Sequence, residues 1–176
     1  MRTITVYILV VFAVLGITWI TVSAIDGNTA ETGKDVQYGN INGRDLEILK
    51  EEAKGESFIL HLWASWCPAC MEEFPDFVKF FKENELAGVK VVAVSFDREE
   101  TVPNYELTLR EHQPTFDNYH GHFNSLEELQ RVTGDGWKGG IPATFLYNEQ
   151  GELTYSHSGI LDFDELKAEL VRNGVN

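Results

Sequence analysis

Cysteine is scarce in this chain: only two occur among 176 residues, Cys67 and Cys70. Small secreted domains that depend on disulfides for stability carry many more cysteines for their length. A chain of this size can bury a hydrophobic core without such cross-links. The two cysteines are therefore predicted to serve chemistry rather than stability.

Positive charge is scarce as well. The chain has 14 Lys and Arg residues against 28 Asp and Glu residues, which gives a formal net charge of −14 at pH 7. A field of this sign repels nucleic acids and anionic lipid surfaces. We therefore expect no nucleic-acid partner and interpret the acidic surface as an ordinary solvated one.

Charge is absent altogether from the first apolar run, Ile4–Ile25. A helix of this length is about 33 Å long, and the hydrocarbon core of a bilayer is about 30 Å thick. Arg2 precedes the run and Asp26 follows it, so the charge bias keeps the N-terminus in the cytoplasm. Residues 1–25 are predicted to be a single-pass membrane anchor that leaves the rest of the chain extracytoplasmic (on the periplasmic side). A signal peptide is the alternative, since Val22-Ser23-Ala24 resembles a cleavage site.

The rest of the chain is predicted to be a linker followed by one domain. Residues 26–34 are small, polar and aperiodic, whereas residues 35–176 alternate between strand-like and helix-like patterns. Asn42-Gly43, between two short alternating runs, predicts a β-hairpin. Further strands are predicted at 57–63, 89–96, 141–147 and 153–158, and helices at 67–84, 101–112, 125–134 and from 162 onward. This order predicts an α/β domain with a central mixed sheet flanked by helices and an added N-terminal hairpin.

The motif CPAC could serve as a structural staple, as half of a metal site or as a redox couple. A disulfide across four residues stabilises a domain by only about 2 kcal/mol. Zinc needs four ligands, and His120 and His122 are spaced too closely to complete a finger pattern. The redox role is favoured because Cys67 lies where a buried strand gives way to a helix, whose N–H groups and dipole stabilise a thiolate. Pro68 suits the first helical turn, and Cys70 lies one turn further on.

The motif and its surroundings resemble the thioredoxin superfamily, and more narrowly the membrane-anchored thiol–disulfide oxidoreductases of the TlpA/ResA/DsbE type. The resemblance rests on WASWCPAC, on Glu73-x-Pro75 and on GIPATF at 140–145, and it extends from about Asp35 to the C-terminus. It implies a thioredoxin-like fold, a redox-active Cys67–Cys70 couple and no cofactor. It also implies a cis peptide bond at Ile141–Pro142 that faces the couple.

Several residues are predicted to support the couple. Those of the motif and of the cis-proline segment are Trp66, Pro68, Ala69, Ile141 and Pro142. Glu73 is either the glutamate that the family places by the cysteines for proton handling or an ordinary surface acid. His61 stands where thioredoxin has a buried aspartate. It could relay a proton, stabilise the Cys70 thiolate if charged, or be a neutral core histidine bonded to the backbone.

The predicted reaction is thiol–disulfide exchange, in which the Cys67 thiolate attacks a substrate disulfide and Cys70 resolves the mixed disulfide. The resemblance implies reduction of protein disulfides, in cytochrome c biogenesis or a related pathway, with electrons from a membrane thiol donor. The sequence does not fix the direction of the exchange. A copper-binding metallochaperone with His157 as a third ligand and a thiol peroxidase dependent on Cys67 are the alternatives. Otherwise surface positions are expected for His112, His120, His122 and His157.

Overall fold

The computed structural model of the protein describes residues 38–84 and 86–175. The predicted anchor at 4–25 and the predicted linker at 26–34 lie outside the described residues, and both stay predictions. Within the described ranges, no helix is both long enough and apolar enough to cross a membrane.

Strands and helices alternate along the described part of the chain. They are β1 (Tyr38–Ile41), α1 (Gly43–Glu52), β2 (Ser57–Trp63), α2 (Pro68–Asn84), β3 (Val89–Ser95), α3 (Val102–His112), β4 (Asp117–Gly121), α4 (Leu126–Thr133), β5 (Ala143–Tyr147), β6 (Leu153–Ser158) and α5 (Phe163–Arg172). The helix α2 continues through Pro75. The predicted α/β architecture is confirmed.

The strands form one mixed sheet in the order β1-β4-β3-β2-β5-β6. The first four of these pair in parallel, whereas β5 is antiparallel to β2 and β6 is antiparallel to β5. The last residues of β2 and β3, Trp63 and Ser95, are register partners at the carboxyl edge of the sheet. The CPAC motif follows β2 almost directly and therefore lies at this edge, where open α/β sheets place their functional sites.

Helices cover both faces of the sheet, and every residue of β2 is buried. Ile59 and Trp63 pack on one face with the apolar side of α2, whereas Leu60 and Leu62 pack on the other with residues of α1 and α4. This alternation follows from the two-residue period of a strand. Trp63 is fully buried.

The hairpin predicted at Asn42-Gly43 is wrong. The run before it forms β1, which pairs in parallel with β4, and the run after it forms α1. Asn42 is the N-cap of α1: its Oδ1 accepts the N–H groups of Arg44 at 2.9 Å and Asp45 at 3.1 Å. Asparagine is favoured in turns and at helix N-caps alike, because its side chain accepts nearby backbone N–H groups in both.

Candidate active site

The two cysteines form a disulfide at the N-terminus of α2, with their Cα atoms 5.2 Å apart. Cys67 is 6% exposed, whereas Cys70 is completely buried. The backbone N–H of Cys70 donates to Sγ of Cys67 at 3.2 Å, and the N-terminal end of α2 adds the positive pole of its dipole. These groups would stabilise a thiolate on Cys67 after reduction, so the outer cysteine is suited to attack and the inner one to resolution.

The segment before β5 lies against the disulfide. The Ile141–Pro142 peptide bond is cis, as the resemblance implied. Sγ of Cys67 is 3.8 Å from the carbonyl oxygen of Ile141. These residues meet because β5 is the antiparallel neighbour of β2. The strand itself begins at Ala143, two residues later than the predicted start at 141, since Pro142 has no N–H to offer a strand partner.

Asp97 supports the turn that leads into Cys67, and no sequence pattern above singles it out. Its buried carboxylate accepts the Ser65 N–H at 2.9 Å and the hydroxyls of Ser65 and Ser95 at 2.5 Å each. Ser65 is two residues before Cys67, so these bonds fix the start of the motif. The available signal was an acidic residue just after the buried strand β3, which ends at the same edge of the sheet as β2.

His120 lies behind Asp97. Its Nε2 is 2.5 Å from the carbonyl oxygen of Asp97, so Nε2–H donates to that oxygen. The ring is buried, and the predicted surface position is therefore wrong for His120, because β4 lies inside the sheet between β1 and β3. His122 is exposed, and His112 and His157 are half-buried.

An apolar groove of about 490 Å³ borders the motif. Trp66 forms part of its wall; the side chain is 51% exposed, and its indole N–H donates to the carbonyl oxygen of Phe96 at 3.2 Å. The other apolar and aromatic lining residues are Phe96, Phe123, Leu126, Leu129, Trp137 and Ile141, and polar groups come from Asp97, Arg98, Asn124 and Ser125. A concave surface of this composition beside the nucleophile suits apolar side chains of a bound polypeptide.

Glu73 is buried in the core, with 2% of its surface exposed, which excludes the interpretation as an ordinary surface acid. Its Oε2 accepts the backbone N–H of Leu161 at 2.6 Å, and its Oε1 lies 3.6 Å from Nε2 of His61. Burial raises the pKa of Glu73 to about 7, and the Leu161 hydrogen bond opposes that rise. The carboxyl group can therefore gain or lose a proton near neutral pH.

His61 is completely buried on β2. Its Nδ1 is 3.0 Å from Oγ1 of Thr144, and its ring stacks on Phe77 with the centroids 4.1 Å apart. Burial lowers the pKa of His61 to about 3, so the imidazole is neutral at physiological pH. Burial therefore disfavours a charged histidine that stabilises the Cys70 thiolate, and the partner of Nδ1 is the Thr144 side chain rather than the backbone.

Among residues 38–84 and 86–175, no three Cys, His, Asp or Glu side chains come together as a metal site would require. His157, the third ligand in the copper alternative, has its Nε2 at 3.0 Å from the carbonyl oxygen of Ile160.

Comparison with known proteins points to the same chemistry as the geometry of the Cys67–Cys70 disulfide. The sequence pattern of the AhpC/TSA family matches residues 31–156. The chain is 32% identical over 129 residues to sporulation thiol-disulfide oxidoreductase A of Bacillus subtilis, an alignment that covers 72% of each chain. It is 27% identical over 148 residues to thiol-disulfide oxidoreductase ResA of Oceanobacillus iheyensis, covering 84% of this chain and 69% of the relative. The crystal structure of StoA from Bacillus subtilis matches with a TM-score of 0.52 at 32% identity, covering 66% of this chain and 83% of that structure.

These similarities confirm two predictions, the thioredoxin-like fold and the enzyme class of thiol–disulfide oxidoreductases. The chain belongs to the AhpC/TSA family. Within the enzyme class it is of the ResA/DsbE type, with Cys67 and Cys70 as its disulfide.

Proposed function

We propose that this protein reduces disulfide bonds in polypeptide substrates outside the cytoplasm while residues 4–25 hold it to the membrane. The observation that carries the proposal is the Cys67–Cys70 disulfide at the N-terminus of α2, in which Cys67 keeps a small exposed fraction and Cys70 is completely buried. The apolar groove next to Trp66 supports a polypeptide substrate. The uncharged run at the N-terminus supports the anchor and the extracytoplasmic location.

The exchange proceeds in two steps from the reduced protein. The Cys67 thiolate attacks one sulfur of the substrate disulfide, forms a mixed disulfide and releases the other substrate sulfur as a thiolate. Cys70 then loses its proton and attacks Sγ of Cys67, which releases the second substrate thiolate. The substrate gains two electrons, and the protein is left with the Cys67–Cys70 disulfide.

Glu73 is proposed to accept the proton that Cys70 loses in the second step. It lies one turn after Cys70 on α2, and its pKa near 7 lets the carboxylate take up a proton under physiological conditions. A membrane protein with a dithiol is proposed to reduce the resulting disulfide for the next cycle. The resemblance to the ResA/DsbE type supports the reducing direction and a place in cytochrome c biogenesis or a related pathway.

Trapping of the mixed disulfide tests the substrate class. A Cys70→Ala variant of the full-length protein, expressed in its own cells, is expected to accumulate polypeptides bound to Cys67 that dithiothreitol releases. The matched control is the Cys67→Ala/Cys70→Ala double variant, which should trap none. Absence of covalent partners in the single variant would overturn the proposal. External protease that fails to reach the domain in intact spheroplasts would overturn the extracytoplasmic location.

The reduction potential of the couple tests the direction. A value near about −270 mV, as in thioredoxin, supports a reductant, and a value near about −120 mV, as in DsbA, would identify an oxidant. The two alternative functions have their own signatures. Tight Cu(I) binding that is lost in His157→Ala, without disulfide reductase activity, would establish the metallochaperone. Rapid peroxide turnover dependent on Cys67 would establish the peroxidase.

A further inference from the structure

A buried polar triad lies in the core close to the resolving cysteine. His61 on β2 and Thr144 on β5 are register partners in the antiparallel pair, so their side chains lie on the same face of the sheet. The helix α2 packs over this face and contributes Glu73. All three side chains are buried. Hydrogen bonding in the triad therefore has to be satisfied by its own members and by the backbone around it.

Two atoms of the triad face each other without a hydrogen bond. Nε2 of His61 and Oε1 of Glu73 are 3.6 Å apart, and neither has another partner within hydrogen-bond range. The opposite ends of both side chains are bonded, Nδ1 to Thr144 at 3.0 Å and Oε2 to the N–H of Leu161 at 2.6 Å. A shift of less than about 1 Å would bring the two facing atoms into hydrogen-bond range, and satisfying two buried polar atoms favours that shift.

The bonded ends dictate where each proton must be. The Leu161 N–H makes Oε2 an acceptor, so a protonated Glu73 carries its hydrogen on Oε1, facing His61. Nε2 must then accept, and the imidazole hydrogen is on Nδ1, where it donates to the Thr144 hydroxyl. When Glu73 is ionised, Oε1 requires a donor instead. The hydrogen is then on Nε2, and Nδ1 accepts from the Thr144 hydroxyl, which can serve in either role.

We propose that His61 is a positioning residue that changes tautomer with the ionisation of Glu73 and so holds the carboxyl group in one place in both states. The Nδ1–H tautomer pairs with the protonated acid, and the Nε2–H tautomer pairs with the carboxylate. One proton leaves the triad in this change, and the imidazole stays neutral throughout. The role in exchange rests on the proposed function, in which the proton returns from the Cys70 thiol.

The surroundings of the triad favour a histidine for this task. An asparagine side chain could also donate or accept, but only by turning its amide over. The His61 ring is stacked on Phe77 and need not turn, since it offers either a donor or an acceptor at the same nitrogen. Glu73 faces His61 at 3.6 Å, and Cys70 lies one turn earlier on α2, whereas the acids nearest to Glu73 in the chain, Glu72 and Asp76, are exposed. Exposed Asp162 follows Leu161 in the chain, and His112 of α3 lies against Phe74 instead.

The tautomer of His61 can be read directly. We suggest ¹⁵N NMR of the full-length oxidised protein labelled at histidine, with the carboxyl carbon of Glu73 followed in parallel between pH 5 and 9. The expected result is Nδ1–H at pH 5 and Nε2–H at pH 9, with the same midpoint as the titration of Glu73. In Glu73→Gln, His61 is expected to keep one tautomer across this range. A wild-type His61 that keeps one tautomer while Glu73 titrates would overturn the proposal.

Thr144 provides the matched pair of variants. Thr144→Val removes the hydroxyl, and an unpaired buried N–H is tolerated less well than an unpaired acceptor. The Nδ1–H tautomer is therefore disfavoured, and the Glu73 midpoint should fall by about 0.5–1 pH unit. Thr144→Ser keeps the hydroxyl and should restore the wild-type midpoint. Equal midpoints in all three proteins would contradict the proposal. Should Thr144→Val fail to fold, the wild-type and Glu73→Gln spectra decide.

These readouts do not depend on catalysis. Reductase activity on a protein disulfide together with a fixed His61 tautomer would refute the switch and leave the proposed function standing. A tautomer change without any exchange activity would refute the function and leave the switch standing.

Discussion

Replacement of Glu73 by glutamine should make the protein more stable at alkaline pH and leave its stability at acidic pH nearly unchanged. The pKa of the carboxyl group is about 7 in the folded protein, against an ordinary value of 4.5, because burial disfavours the charged form. The folded state therefore holds the proton more tightly than the unfolded state does. The stability that comes from this proton is complete below pH 4.5 and is lost as the pH rises through 7.

The size of the effect follows from the same two values. Each pH unit between 4.5 and about 7 lowers the free energy of unfolding by about 1.4 kcal/mol, so the full loss is about 3 kcal/mol. Glutamine is neutral at every pH and keeps an oxygen that can accept the Leu161 N–H. Glu73→Gln should therefore gain up to about 3 kcal/mol over the wild type at pH 8 and far less at pH 5.

Urea unfolding of the oxidised protein at pH 5 and pH 8 measures this difference. Burial also lowers the pKa of His61, so His61 adds stability that is present above pH 6.5 and is lost as the pH falls towards about 3. Both proteins carry this contribution, which a comparison of wild type and variant at each pH largely removes. The matched control is Glu72→Gln, at an exposed neighbouring position, which should show no such pH dependence. If the stability difference between Glu73→Gln and wild type is the same at both pH values, the reasoning from burial is refuted.

Three further predictions concern the turn before Cys67, the groove beside it and the N-cap of α1. Asp97→Asn weakens the hydrogen bonds that hold Ser65, so the free energy of unfolding should fall by about 2 kcal/mol in thermal unfolding. The reduced protein should also react more slowly with iodoacetamide at Cys67. If neither the stability nor the reaction rate changes, Asp97 does not support the turn before Cys67. Trp66→Ala should raise KM for a protein disulfide without slowing the reaction with a small aromatic disulfide, and an equal loss with both substrates would exclude a docking role for the groove. Asn42→Ala removes the N-cap of α1 and should cost about 1 kcal/mol in urea unfolding with exchange kinetics unchanged, whereas unchanged stability would show that the cap contributes nothing.

Most of the fold could be predicted from the sequence because its signals are local. The strands β2 and β3 are short apolar runs, and α2 repeats apolar residues at helical spacing. The pattern of apolar residues therefore predicts both the buried strands and the helix that packs against the sheet. The prediction at Asn42-Gly43 failed because the same residue type serves two structures. Only the pairing of β1 with β4, some 80 residues further along the chain, decides between a hairpin and a helix N-cap there.

The features of the site likewise divide into those that the local sequence indicates and those that depend on residues far away in the chain. The cysteines and their place at a strand–helix junction are local features, and the two together indicate the redox role. The burial of Glu73 is not local, because its hydrogen-bond partner Leu161 is 88 residues away. The partner of His61 is 83 residues away on β5. Helical spacing placed Glu73 near Cys70 but carried no information on which segment would cover it.

Burial explains why a histidine and a glutamic acid can share the core without forming an ion pair. It lowers the pKa of His61 to about 3 and raises that of Glu73 to about 7, so between these values both groups are neutral. Over this pH range the contact of 3.6 Å between Nε2 of His61 and Oε1 of Glu73 therefore joins two neutral groups. No charge is buried there until Glu73 ionises. The strand that carries His61 resembles the corresponding segment of thioredoxin, which has an aspartate at that position. In this chain the buried acid is Glu73 on α2, and the position on β2 carries His61. The neutral imidazole of His61 offers either a donor or an acceptor, so it can bond with Glu73 in either protonation state.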